Sequence, residues 1–233
     1  MRRAARILGT LMTLAGVLVL AWVIVVWQWQ DPFTAVYTHI EQSRLSHSYE
    51  RRAEAFRPVL PPTKHRDLAA VERSVAAEAE AYGRTLHEGD AIGRIRIGRI
   101  GLKMVFVQGT GHDTLKKGPG HYSTSGLPGE GKLIYIAGHR TTYLAPFAYI
   151  NAIRIGDYVR LEVPYGTFTY RVTRHYVVRA DALSILRNHG REILRLQACH
   201  PRFFASHRYI VDATLVGVAP KGGEPYTPAT SNS

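Results

Sequence analysis

An all-β domain at residues 89–219, a closed barrel or sandwich of seven or so short strands, is what this chain predicts, behind a helical stalk and one membrane-spanning helix. Three observations carry that expectation. An uncharged apolar run opens the chain, alternating apolar and polar positions recur in short segments after residue 89, and 21 Gly and 12 Pro supply turns between them.

Residues 7–27, ILGTLMTLAGVLVLAWVIVVW, contain no charge. At a helical rise of about 1.5 Å per residue they span roughly 30 Å, the thickness of a bilayer core. Arg2, Arg3 and Arg6 precede the run, and Trp22, Trp27 and Trp29 mark its far side. Basic flanks stay inside and interfacial aromatics suit the outer surface, so residues 1–6 are expected in the cytoplasm and the bulk of the chain outside. Signal-peptide cores are shorter, about 7–15 residues, and end in a small-residue cleavage site. The sequence WQWQDPF offers no such site, and an uncleaved anchor in the plasma membrane is the expectation.

Residues 28–88 read as an extracytoplasmic stalk. Residues 31–57 have helical composition, PVLPPT at 58–63 breaks any helix, and residues 67–87 are rich in Ala and Glu with Asp67 placed to cap a helix. That last segment, with a mostly alanine face, is expected to lie lightly against the domain that follows. LPPTK at 60–64 resembles part of a Leu-Pro-x-Thr sorting signal but lacks the following Gly, and is read as a chance match.

The strand candidates follow in order. They are AIGRIRI (91–97), GLKMVFVQG (101–109), KLIYIAGH (132–139), DYVRLEV (157–163), TFTYRVTRHYVVR (167–179), EILRLQAC (192–199) and RYIVDATLVGV (208–218). Several alternate with period two, the pattern of a half-buried strand. The tail at 220–233 has little apolar content and is expected to be disordered.

The formal charge is +12, without a run of five basic residues such as a nucleic-acid-binding tail would show. With the domain placed outside the cell, nucleic acid is excluded as a partner. Cys199 is the one cysteine, so it can form neither an internal disulfide nor a Cys-rich zinc site, and the eleven His show no metal-ligand spacing. A cysteine nucleophile needs a thiolate, a proton donor for the leaving amine, and positive charge where an oxyanion develops. His139 and Cys199 close two strand candidates and Arg208 opens another, so all three can meet at one rim of a barrel.

AGHRTTYLAPF (137–147) resembles the histidine segment of sortases, and LRLQACHPRFFASHRYIV (194–211) is similar to the segment in which their cysteine ends one strand and their arginine begins the next. The approach GTGHDTLKKGPGHYSTSGLPGEGKLIYIAGHR (109–140) and the anchor exit WQWQDPFTAVYTHIEQ also follow the family, most closely its class E in actinobacteria, whose histidine segment carries a tyrosine where Tyr143 stands. The resemblance implies a closed barrel of about eight strands with short helices. It implies a cysteine transpeptidase with Cys199 as nucleophile, His139 as proton donor and acceptor, and Arg208 on the oxyanion. The substrates implied are surface proteins with a C-terminal sorting signal of Leu-Ala-x-Thr-Gly type, cut between Thr and Gly. The acceptor implied is an amine of a peptidoglycan precursor or of another protein, and no cofactor or metal is required. Tyr143, His121 and Ala198 are expected to contact substrate. Ala198 departs from the family, which places Thr before the cysteine. The alternative is a non-catalytic sortase-like barrel that binds at the cell surface.

Overall fold

The computed structural model of the chain describes residues 2–29, 32–58 and 67–229. Residues 59–66, with the proline break and the LPPTK match, lie outside them. Helix α1 (Arg2–Trp29) contains the apolar run, and among the described residues its segment Arg2–Ile24 is the one helix long and apolar enough to cross a membrane. Helix α2 (Pro32–Ala55) and helix α3 (Leu68–Gly83) follow, and Asp67 caps α3 by accepting a hydrogen bond from Ala69 N at 3.1 Å.

The strands are β1 (Ala91–Ile97), β2 (Leu102–Gln108), β3 (Gly120–His121), β4 (Leu133–Gly138), β5 (Tyr158–Val163), β6 (Gly166–Arg179), β7 (Ile193–His200) and β8 (His207–Pro220), with a short helix α4 (His112–Leu115) before β3. They close into a barrel in the order β1-β2-β3-β4-β7-β8-β6-β5. β2 with β3 and β4 with β7 run parallel, and the other neighbours run antiparallel. The expected barrel is present. Its eighth strand, β3, has two residues, too few to show any alternation in sequence.

Alternation fills the interior. Ile134 and Ile136 of β4, Leu194, Leu196 and Ala198 of β7, and Val211 and Ala213 of β8 belong to one buried cluster with Phe106, Phe168 and Tyr170. Gly93 is required where β1 and β5 touch, because a Cβ there would sit 2.2 Å from the Glu162 carbonyl. At the far end Glu192 accepts from Gly129 N, Gly131 N and the Tyr170 hydroxyl, and its burial raises its pKa.

Two expectations are corrected. The segment read as a stalk is part of the domain: Val75, Ala79 and Tyr82 of α3 lie in the main core, while Leu45 and Tyr49 of α2 are buried against Val105 and Val107 of β2. Spacings of four and three residues put each set on one helix face, and an aromatic among the alanines supplies the area an alanine face lacks. Gln42 of α2 also accepts from Val105 N and donates to Val105 O and Lys117 O, completing the ladder beyond the short β3. The tail is likewise ordered up to residue 229: Tyr226 exchanges backbone bonds with Val218 and packs on the core. One aromatic ring with a backbone bridge suffices to hold it there.

Candidate active site

The site follows from strand register. Gly138 of β4 is paired with Ala198 of β7, and His139 and Cys199 are the next residues along the two strands. Cys199 is paired directly with Arg208 of β8. Parallel β4 and β7 end at one rim of the barrel and antiparallel β8 begins there, so all three expected residues lie at that rim. Cys199 is half-buried and among the described residues bears a free thiol.

Period two then decides what faces outward. Cys199, Gln197 and Arg195 share the outer face of β7 with Tyr135 and Ala137 of β4 and with Ile210 and Asp212 of β8. The Tyr135 hydroxyl donates to Gln197 Oε1 at 2.9 Å. Ile185, from the connection between β6 and β7, packs on Tyr135, Ala137 and Ile210. Arg195 holds that connection down by donating to Ile185 O at 2.6 Å while its fork grips Asp212 at 2.6 and 2.8 Å.

Ala198 therefore does not contact substrate as expected. It is 0% exposed and points into the barrel, on the opposite face from its neighbour Cys199. A hydroxyl at this position would enter the core and would not lie beside the thiol. His121 is corrected too. It is 1% exposed, with Nδ1 at 2.9 Å from Gln108 Oε1 and Nε2 at 2.9 Å from Gly126 O. Burial drives its pKa down to about 4, outweighing the pull of the Gly126 carbonyl. A ring so enclosed supports the barrel wall.

His139 is half-buried, and its Nε2 is buried without a hydrogen-bond partner among the described residues. Burial lowers its pKa, and the charges of His112 and Lys116 lower it further. Tyr143 lies beside it, ring centroids 5.2 Å apart. Tyr143, Leu144 and Ala145 all have left-handed backbone, φ 54°, 57° and 36°. Such residues cost of order 1–2 kcal/mol each, so the surrounding packing must hold the turn. Part of that packing is α2: Tyr143 N donates to Thr34 Oγ1 at 3.2 Å, and the Tyr37 ring meets the Tyr143 ring edge-on at 6.4 Å.

Arg208 donates through Nη1 to Ala205 O at 2.7 Å and His207 O at 3.0 Å. This anchors it to the β7–β8 loop, where Phe203 and Ala205 also have positive φ. Its Nε and Nη2 make no hydrogen bond among the described residues, which leaves donors for a ligand.

One residue of the site escaped the sequence reading. Arg140 is buried and donates to Cys199 O at 3.2 Å, His200 Nδ1 at 2.9 Å and Asn151 Oδ1 at 2.8 Å. None of these partners is a carboxylate, so a cation sits behind the nucleophile's backbone, its own pKa lowered chiefly by burial. The signal was available: a residue after an outward histidine at a strand end must turn inward.

A closed barrel presenting a lone cysteine between a histidine and an arginine at one rim defines a cysteine-nucleophile fold of the sortase kind. The family model for the sortase domain matches residues 95–216, more than half of the chain, and the chain belongs to the sortase family. It is similar to sortase D of Bacillus subtilis (strain 168), 37% identical over 127 residues, which are 53% of this chain and 63% of that protein. The match thus spans less than two thirds of that relative. Among solved structures, sortase E from Streptomyces avermitilis shares 31% identity at a TM-score of 0.52, over 60% of this chain and 97% of that one. A Clostridium perfringens sortase D5 transpeptidase superposes with a TM-score of 0.60 over 76% of this chain and 98% of that one, and at 21% identity it speaks for the fold alone.

Proposed function

We propose that this chain is a membrane-anchored cysteine transpeptidase working on the outer face of a Gram-positive cell, with α1 in the plasma membrane and residues 1–6 in the cytoplasm. The observation that supports this reading is the pairing of Cys199 with Arg208 across β7 and β8, at the rim where β4 ends one residue before His139. The Cys199 thiolate attacks the carbonyl between Thr and Gly of a sorting signal. The free arm of Arg208 stabilises the oxyanion as a planar, permanently charged donor. The C–N bond breaks, His139 gives its proton to the departing Gly amine, and a thioester remains on Cys199. An amine of a peptidoglycan precursor or of another protein attacks that thioester, passes a proton to His139, and expels the Cys199 thiolate, restoring the starting pair. A depressed pKa makes the His139 imidazolium a stronger acid.

The substrate class we propose is Leu-Ala-x-Thr-Gly in preference to Leu-Pro-x-Thr-Gly, as in class E. Tyr143, next to His139, supports this choice. Alanine has a backbone N–H that proline lacks, and a tyrosine hydroxyl can accept it directly or through water. A site built around a hydrogen bond rejects the analogue lacking it, because its own polar group is left unpaired. The test is the ratio of kcat/KM for the two peptides in the wild type and in Tyr143→Phe. The wild type should favour Ala and the variant should lose that preference. A wild-type ratio favouring Pro overturns the substrate class.

A further inference from the structure

The ends of the barrel differ. β4 and β7 finish at the catalytic rim, β8 begins there, and antiparallel pairing brings the end of β6 to the same side, with His207 opposite Arg179. The end of β1 and the start of β5 also lie there, Ile97 opposite Val159. Several exposed large apolar side chains lie at this end: Val36 of α2, Tyr149, Ile155 and Tyr158 before or at the start of β5, and Phe203 and Phe204 of the β7–β8 loop; Val177 of β6 and Leu183 of the β6–β7 connection are exposed as well. Phe204 is 81% exposed. Arg202 lies over the Tyr149 ring at 6.0 Å and the Phe203 ring at 5.9 Å, placing a cation among the aromatics. The turns at the opposite end, 126–132, 164–166 and 187–192, carry no exposed large apolar side chain among the described residues.

The tether is short. α1 ends at Trp29, and Thr34 on the first turn of α2 already touches Tyr143, the neighbour of His139. Five residues extend at most about 18 Å, so the rim cannot be farther than that from the end of α1. α2 then runs away from this end, its Glu50 reaching Arg94 earlier on β1.

We propose that the catalytic end of the barrel docks on the outer leaflet of the membrane. Phe203, Phe204 and Tyr149 enter the headgroup region, and Arg202 faces anionic lipid. The proposal rests on α1 being a membrane anchor. Aromatic rings flanked by arginine suit that interface, where one end of a side chain is apolar and the other wet. Docking fixes the cleft at the bilayer surface, so substrate reaches Cys199 along the membrane.

The full chain in vesicles of phosphatidylcholine and phosphatidylglycerol carrying nitroxide lipids tests this. Cys199→Ala removes the one native thiol, and Phe204→Cys or Asn188→Cys then carries a fluorophore at the rim or at the opposite end. Alkaline carbonate extraction is run in parallel, and far-UV circular dichroism checks folding. A carbonate-resistant chain with quenching at residue 204 severalfold above that at residue 188 is expected. A resistant chain quenched equally, or unquenched, at both positions overturns the docking alone. Release by carbonate overturns the anchor and the docking with it.

Discussion

His121 makes the stability of the barrel depend on pH by an amount the structure sets. In the unfolded chain its pKa is that of an ordinary imidazole, 6.5, and in the fold it is lowered to about 4. Between these values the unfolded chain holds a proton that the folded chain refuses. Stability is therefore full above 6.5 and is lost as pH falls toward 4, where the folded ring also protonates. Integrating the two titrations gives a loss of about 2 kcal/mol between pH 7 and pH 5 from this one ring. Urea unfolding of the chain in detergent, at both pH values, measures the total. His121→Gln removes the titration while keeping a polar side chain opposite Gln108 and Gly126, so the variant should lose about 2 kcal/mol less than the wild type over the same interval. His139 and His200, whose pKa values are also lowered, contribute alike to both proteins and cancel. Equal losses in wild type and variant would refute the argument that burial keeps this ring neutral.

Substitutions at two other positions probe the rim. Arg140→Leu leaves Cys199 O, His200 Nδ1 and Asn151 Oδ1 without their donor. It should cost about 2–4 kcal/mol in urea unfolding, with Arg140→Lys recovering part; a change below about 0.5 kcal/mol contradicts the clamp. Arg208→Lys keeps the charge but loses the planar fork, and kcat/KM for peptide cleavage should drop about a hundredfold, the scale of one lost oxyanion donor. Near-normal turnover contradicts the oxyanion role.

Most of the barrel was legible because seven of its strands carry their own pattern. β3 was not, since two residues show no period and their place is set by Gln108 and Ile136 on either side. The convergence of Cys199, His139 and Arg208 could be anticipated from strand ends, whereas the parallel pairing of β4 and β7 could not. Ala198 could have been assigned to the core from its position one residue from an outward cysteine, and Arg140 inward by the same rule. His121 looked like a cleft residue because it lies on the approach to His139; only the tertiary contacts of Gln108 and Gly126 reveal a buried ring. The turn at Tyr143 was invisible, since three non-glycine residues in left-handed backbone follow no local preference. The helices of residues 28–88 read as a stalk because their apolar positions are few, yet Tyr49 and Tyr82 each bury a large ring.

The most direct measurement is of Cys199 itself. The chain is incubated with a Leu-Ala-x-Thr-Gly peptide in the absence of an acceptor amine, quenched in acid and weighed as intact protein. A mass increase equal to the peptide up to Thr, localised to Cys199, lost on hydroxylamine treatment and absent in Cys199→Ser, is the predicted result. Cleavage of the peptide without such an adduct in any quench window, or its persistence with Cys199→Ala, would contradict a thioester mechanism at this site.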